Sequence, residues 1–225
     1  MAGRQRPPAI LFDLDGTLTD PFVGITTSIG HAMMRMGYAA PAPASLRWCI
    51  GPPLQSSLRA LLASDDEAVV SKAVDFYRER YAEIGKFENE LIEGIPELLA
   101  ALAIQGYFMV VATSKLGSYA GDIVSHFGLM PHFRHVYGSE RDGRNADKAD
   151  LIAHILSTES IDPSRALMVG DREHDIVGAH KNGVRAIGVT WGYAEEGELL
   201  RAGADALAES PAALGTLIQR IMPPG

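Results

Sequence analysis

The stretch that most constrains the fold is residues 10–17, ILFDLDGT, because an apolar run leads directly into two carboxylates. The run at residues 9–12 has the length of a buried strand, and the Gly-Thr pair at residues 16–17 marks the end of the extended segment. Side chains alternate between the faces of a strand, so Asp13 and Asp15 point the same way from its carboxyl end. Such close like charges repel each other unless they bind a metal or share a proton. The stretch therefore predicts a strand that ends in a paired-carboxylate site.

Strands and helices alternate along the chain after residue 94. Short apolar runs predict strands at residues 107–113, 135–137, 166–170, 185–190 and 204–207. Amphipathic segments predict helices at residues 96–104, 118–127, 148–157 and 175–182, and a last helix opens at Ser210-Pro211. This alternation is typical of an α/β, doubly wound, Rossmann-like parallel sheet.

The block at residues 20–85 predicts a run of helices and no strand. Its first helix has Asp20 as N-cap and Pro21 at the first helical position, and SDDE at residues 64–67 has the form of a capping box for the third. Because this block separates the first strand from the others, we expect a small inserted helical domain. The predicted division is a core at residues 1–18 and 92–225 and an insert at residues 19–91.

Further polar side chains follow the other predicted strands, and the carboxyl ends of parallel strands are where functional residues gather. These side chains are Thr113, Ser114, Lys115, Lys148, Asp171 and Asp175. Clustered carboxylates suit Mg²⁺, which prefers oxygen ligands, and a hydroxyl and a lysine suit an anionic group beside it. The set favours phosphoryl transfer, in which a spare carboxylate can act as nucleophile.

Four motifs resemble those of the haloacid dehalogenase superfamily. They are D-x-D-G-T at residues 13–17, the hydroxyl of Thr113, the lysine at Lys148 and G-D-x-x-x-D at residues 170–175. The motifs follow the family's order, and the helical insert lies where that family has a small cap domain. The branch is similar to phosphoglycolate phosphatases and related small-phosphate or nucleotide phosphatases, including 5'-nucleotidases. Ala149 departs from the proline that many phosphoglycolate phosphatases have after this lysine.

The resemblance implies roles for the acids. Asp13 would attack phosphorus, and Asp15 would protonate the leaving oxygen and then take a proton from the hydrolytic water. Mg²⁺ would be held by Asp13, the Asp15 backbone carbonyl and Asp171. Asp175 would support that metal site. A haloacid dehalogenase needs no acid at residue 15, so the signature favours a phosphatase over a dehalogenase.

The resemblance also implies where substrate binds. Thr113 and Lys148 would bind phosphoryl oxygens, and Ser114 would add a contact. Gly51 and Pro52 lie in the cap turn where relatives place a specificity loop. The side chains whose part stays open are Lys115, Arg47, Arg59, Arg172 and His174.

The expected function is a Mg²⁺-dependent phosphatase that hydrolyses a small phosphomonoester through an aspartyl-phosphate. One alternative is a phosphosugar mutase of the same superfamily. A second is a non-catalytic phosphorylatable signalling domain. A mutase would isomerise a sugar phosphate and release little phosphate, and a signalling domain would hold a long-lived phosphoryl group without turnover.

Composition and charge limit the classes of ligand and the cellular compartment that we expect. The net charge is −8 and no basic block stands out, which argues against a nucleic-acid polymer as ligand. The single cysteine, Cys49, excludes an intrachain disulfide and fits a reducing cytoplasm. No apolar stretch approaches the roughly 18 residues of a membrane helix. We therefore expect a cytoplasmic protein, monomer or dimer, that acts on a small phosphorylated metabolite.

Overall fold

The computed structural model describes residues 7–224, so residues 1–6 and Gly225 of the predicted core lie outside it. The strands are β1 (Ala9–Phe12), β2 (Thr19–Asp20), β3 (Glu90–Leu91), β4 (Phe108–Leu116), β5 (His135–Ser139), β6 (Ala166–Gly170), β7 (Arg185–Val189) and β8 (Ala206–Ala208). The α-helices are α1 (Phe22–Arg35), α2 (Leu54–Leu62), α3 (Glu67–Tyr81), α4 (Ile95–Ile104), α5 (Gly117–His126), α6 (Lys148–Thr158), α7 (Glu173–Lys181), α8 (Glu198–Arg201) and α9 (Pro211–Ile221). Short 3₁₀ turns occupy Pro43–Cys49, Gly85–Phe87, Met130–His132 and Pro163–Arg165.

Six strands form one parallel sheet in the order β5-β4-β1-β6-β7-β8. The first strand lies between β4 and β6, and Phe12 is paired with Val111 on one side and Val169 on the other. This arrangement brings the carboxyl ends of three strands to the same place. The predicted α/β fold with a parallel, Rossmann-like sheet is confirmed.

The alternation of side chains along β1 explains why both faces of the sheet are covered. Ile10 and Phe12 pack in one buried cluster with α4, α5 and α9. Ala9 and Leu11 pack in a second cluster, on the other face, with α6 and α7. A strand that is apolar on both faces has to lie between two layers of helices, which fits a doubly wound sheet.

A third apolar cluster lies mostly in the insert, where Ile29 from α1 packs with Leu58 from α2 and Val74 from α3. Tyr119 and Tyr193 of the core also belong to it. The chain leaves and returns to the sheet through β2 and β3, which pair antiparallel. These two-residue strands were not predicted, because such short elements have no readable periodicity. The division at residues 18/19 and 91/92 stays a prediction.

Two predicted helix starts are wrong in detail. The N-cap of α3 is Asp66, whose carboxylate accepts the Ala68 N–H at 2.9 Å, while Ser64 Oγ accepts the Asp66 N–H at 3.2 Å. Ser64 therefore orders the turn before the cap, and the capping box is not formed. At α1 the cap is Pro21, and the Asp20 carboxylate accepts the Phe22 N–H at 3.0 Å. Across the described chain, no helix combines the length and the apolar character needed to span a membrane.

Candidate active site

Gly16 lets the loop after β1 approach the loop after β6. Its φ is +83°, and a Cβ built on it would lie only 2.2 Å from Asp171 Oδ2. A side chain here would therefore be strained and would displace the carboxylate. Asp171 is held in place by the Tyr193 N–H at 2.8 Å and by Thr17 Oγ1 at 3.3 Å.

Asp13, Asp171 and Asp175 form a buried cluster in which one ligand oxygen from each residue lies within 4.8 Å of the others. Burial first, and then the charges of Asp13 and Asp175, raise the pKa of Asp171 well above its ordinary value. Burial also raises the pKa of Asp175, although Lys148 acts against it. Negative charge is thus concentrated without full compensation, and the donors are all oxygens. The cluster fits a hard divalent cation.

Lys148 is the cation that the protein itself supplies to this cluster. Its Nζ lies 2.9 Å from Asp13 Oδ1 and 2.8 Å from Asp175 Oδ1, and it donates to the Ala112 carbonyl at 2.8 Å. Burial lowers the pKa of Lys148, but the two carboxylates outweigh it and raise that pKa above its ordinary value. The three neighbours match the three donors of an ammonium group. Lys148 therefore stays charged, and its predicted contact with phosphate stays a prediction.

Lys115, whose part the sequence left open, contacts Asp15. Its Nζ lies 2.8 Å from Asp15 Oδ2 and donates to the hydroxyl of Tyr81 in the insert. Burial raises the pKa of Asp15, and Lys115 offsets part of that rise. The other oxygen, Asp15 Oδ1, is buried without a hydrogen-bond partner among the described residues. Asp15 thus combines a raised pKa with an uncommitted oxygen, which suits proton transfer.

A cavity of about 90 Å³ lies between the sheet and the insert. Its walls include the predicted site residues Asp13, Asp15, Thr113, Ser114, Gly51 and Pro52. Three tyrosines also line it, namely Tyr77 and Tyr81 from α3 and Tyr119 from α5. Lys148 pairs with Asp13 from outside this wall, and a carboxylate oxygen of Asp171 and one of Asp175 lie within 4.8 Å of an Asp13 oxygen. The structure therefore brings the predicted residues together around one small space.

The other side chains whose role the sequence left undecided lie at the insert, at the surface and between the two parts of the molecule. Arg59 pairs with Asp65 and Glu67 on the insert, and His174 is exposed. Arg47 lies over the ring of Tyr193, 4.8 Å from its centre. Arg172 is buried and bonds to Glu198 and to the Ile50 carbonyl.

Tyr193 and Glu198 contact site residues, but the sequence analysis did not predict them. Tyr193 follows a strand end, which is the signal that could have pointed to it. Glu198 lies in a four-residue helix that has no periodicity to detect.

Comparison with known proteins agrees with this geometry. The family model described as haloacid dehalogenase-like hydrolase matches residues 10–189. The chain belongs to this family. The match runs from β1 to β7 and so includes both the acid pair and the D-x-x-x-D loop. The predicted family is confirmed.

Several relatives cover most of the chain. A 5'-nucleotidase of Pseudomonas aeruginosa is 48% identical over 194 residues, which are 86% of this chain and 87% of that protein. The tyrosine-protein kinase PtkA of Mycobacterium tuberculosis is 40% identical over 84% of this chain, which spans 64% of that longer protein. The crystal structure of a predicted phosphatase from Clostridium acetobutylicum superposes with a TM-score of 0.92 at 37% identity, covering 96% of this chain and 100% of that one. The predicted enzyme class, a phosphoric monoester hydrolase, is confirmed.

Proposed function

We propose that the protein is a Mg²⁺-dependent phosphatase that hydrolyses a small phosphomonoester through an aspartyl-phosphate on Asp13. The observation that carries the proposal is the different setting of two carboxylates in one cavity wall. Asp13 faces the ammonium of Lys148 at 2.9 Å and two further acids. Asp15 has a raised pKa and an uncommitted oxygen. One is set up as a nucleophile and the other as an acid and base.

The first step transfers the phosphoryl group to the protein. A carboxylate oxygen of Asp13 forms a bond to phosphorus as the bond from phosphorus to the ester oxygen breaks. Asp15 gives its proton to that departing oxygen, so the leaving group departs as a neutral alcohol. Deep burial of both acids keeps bulk water from competing with the proton transfer.

The second step restores the enzyme. Asp15, now ionised, takes a proton from a water molecule, whose oxygen attacks phosphorus as the bond from phosphorus to Asp13 breaks. Inorganic phosphate leaves, and Asp15 again carries a proton. The same residue therefore serves as acid and then as base, with no net change in protonation.

Mg²⁺ would be held by Asp13, Asp171 and the Asp15 backbone carbonyl, with Asp175 supporting the site. When bound, it supplies charge neutralisation to the phosphoryl oxygens. The protein's own contribution is to keep the acids together, with the pKa of Lys148 raised so that it stays cationic beside them. Thr113 and Ser114 would hold the phosphoryl oxygens, with Lys148 balancing their charge.

For the leaving group we propose a nucleoside, supported by the 48% identity to the 5'-nucleotidase over most of both chains. The tyrosines that line the cavity offer flat apolar surfaces on that side. Gly51 and Pro52 would form the edge of the substrate site. We propose that the enzyme acts in the cytoplasm as a monomer or dimer.

The test is phosphate release from a panel of nucleoside monophosphates, phosphoglycolate, sugar phosphates, pyrophosphate and phosphotyrosine, with and without Mg²⁺. We expect release from nucleoside 5'-monophosphates that requires the metal and is lost in Asp13→Asn. Isomerisation of a sugar phosphate with little free phosphate would favour the mutase instead. A stable phosphoprotein with no turnover would favour the signalling domain.

A further inference from the structure

Arg172 lies between two of the acids, after Asp171 and directly before α7, whose first turn carries Asp175. Its backbone N–H donates to Asp175 Oδ2 at 3.1 Å. Its side chain leaves this segment and crosses to the insert, where Nη1 donates to the backbone carbonyl of Ile50. One residue therefore contacts the acid cluster through its backbone and the insert through its guanidinium.

The other end of the guanidinium is anchored on the core. Its Nε donates to Glu198 Oε1 at 2.9 Å, and both groups are buried. Glu198 also accepts the N–H of Glu173 at 2.9 Å and the N–H of Glu195 at 2.9 Å. Burial raises the pKa of Glu198, but these donors hold it below its ordinary value. The carboxylate is thus a rigid charged support for the arginine.

The chain beyond Ile50 is shaped to lie against this arginine. Gly51 has a φ of +105°, and a Cβ added to it would lie 2.7 Å from Arg172 Cγ and 3.3 Å from Nη1. Only glycine permits both the left-handed backbone and the close approach. Gly51 and Pro52 then form part of the cavity wall above Asp13 and Asp15.

The geometry points to Arg172 as a positioning residue that clamps the turn at residues 50–52 over the cavity and links closure of the insert to the order of the segment that carries the acids. The bond from Nη1 to the Ile50 carbonyl joins residues 122 positions apart and exists only while the insert is docked. It is a charge-assisted bond, the stronger kind of hydrogen bond. Arg172 bonds to Asp175 through its backbone N–H and to Ile50 through its guanidinium, so the clamp joins the turn to the segment that carries the acids.

A purely structural arginine would behave differently. If Arg172 only stabilised the core through Glu198, its loss would lower the melting temperature and leave the insert's opening unchanged. As a clamp, its loss increases the fraction of open molecules, and the apparent affinity for substrate falls in proportion to the closed fraction. The expected signature is therefore a higher KM with kcat largely retained.

Hydrogen–deuterium exchange of the full chain without substrate tests the clamp directly. In Arg172→Gln, we expect exchange at residues 46–54 to quicken about 10- to 100-fold, the range set by losing a bond to a charged donor. Arg80→Gln is the matched control, because Arg80 bonds to Glu88 at 2.7 and 2.8 Å and to Ser28 at 3.3 Å, all within the insert. Equal exchange at residues 46–54 in wild type and Arg172→Gln would overturn the proposal.

Gly51→Ala, alone and combined with Arg172→Ala, provides a second test. The new Cβ collides with Arg172 Cγ, which Arg172→Ala removes. If the contact is real, Gly51→Ala quickens exchange at residues 46–54 less in the Arg172→Ala background than in the wild type. Strictly multiplicative effects of the two changes would contradict it.

The catalytic consequence rests on the proposed function, whereas the exchange measurements do not. With the best substrate of the phosphate panel, we expect Arg172→Gln to raise KM on the order of tenfold and Arg172→Lys to restore part of it. A fall in kcat with KM unchanged would overturn the positioning role. If the wild type releases no phosphate from any substrate, the proposed function fails while the exchange result still decides the clamp.

Discussion

Lys115 and Asp15 form a buried ion pair with 2.8 Å between Nζ and Oδ2. Lys115 lies near the end of β4 and Asp15 follows β1, so both lie a few residues beyond the pairing of these neighbouring strands. Burial raises the pKa of Asp15, and the lysine acts in the opposite direction. The pair therefore controls how readily Asp15 gives up and takes back a proton.

Replacing Lys115 by Met should keep Asp15 protonated up to a higher pH. Without the ammonium of Lys115, less opposes the effect of burial, and the pKa of Asp15 rises further. The hydrolysis step needs Asp15 ionised, so the acidic limb of kcat should move to higher pH. At pH 6 we expect kcat to fall on the order of tenfold.

The measurement is kcat from pH 5 to pH 9. The control is Lys72→Met, since Lys72 is exposed on α3 and its replacement should leave the profile in place. An acidic limb that stays where it is in Lys115→Met would show that the pair does not control the titration of Asp15.

Mg²⁺ should stabilise the protein by relieving repulsion among the acids. The folded-state pKa of Asp171 is raised, so the metal-free protein is stabilised at low pH and loses that stability as pH rises through the folded pKa. At a Mg²⁺ concentration of 100 times Kd, we expect about 2.7 kcal/mol, or roughly 5–11 °C in melting temperature.

Asp171→Asn separates repulsion from metal binding. It should raise the melting temperature in EDTA, because one buried charge is gone, and abolish the increase with Mg²⁺. Asp150→Asn, at an exposed acid in the first turn of α6, should keep the Mg²⁺ response. Thermal melts in EDTA and in MgCl₂ at pH 6 and pH 8 provide the comparison. An undiminished Mg²⁺ response in Asp171→Asn would remove this residue from the metal site.

Gly16→Ala should lower the free energy of unfolding by more than the backbone strain alone accounts for. Gly16 and Gly106 share a φ of +83°, but a Cβ meets Asp171 at Gly16 and nothing within 4 Å at Gly106. Gly106→Ala should therefore cost about 1–2 kcal/mol of unfolding free energy and keep activity. Gly16→Ala should lose more stability and also lose the Mg²⁺ response. Equal losses in the two variants, measured by urea unfolding, would mean that the close approach to Asp171 is unimportant.

The sheet could be predicted because its signals are local. The run at β6 has the bounds that the structure shows, and the acids after β1 and β6 meet because parallel neighbours end at one edge. The resemblance to the family added the order of the motifs. The residues expected to share a site do line or adjoin one cavity.

Contacts between distant segments could not be predicted. Whether Lys115 meets Asp15 or solvent depends on how α3 brings Tyr81 over it. The Arg172 bond to Ile50 depends on how the insert docks. Hydrophobic periodicity reports which face of an element is buried, and it carries no information about which polar partner lies across an interface.

The covalent intermediate is the central claim, and reductive trapping tests it most directly. Enzyme quenched during turnover is treated with borohydride, which reduces an aspartyl-phosphate to homoserine, and peptides are sequenced by mass spectrometry. We predict homoserine at residue 13 only when substrate and Mg²⁺ are both present, and none in Asp13→Asn. Steady phosphate release with no homoserine at residue 13, or with homoserine at Asp15 or Asp171 instead, would contradict the account.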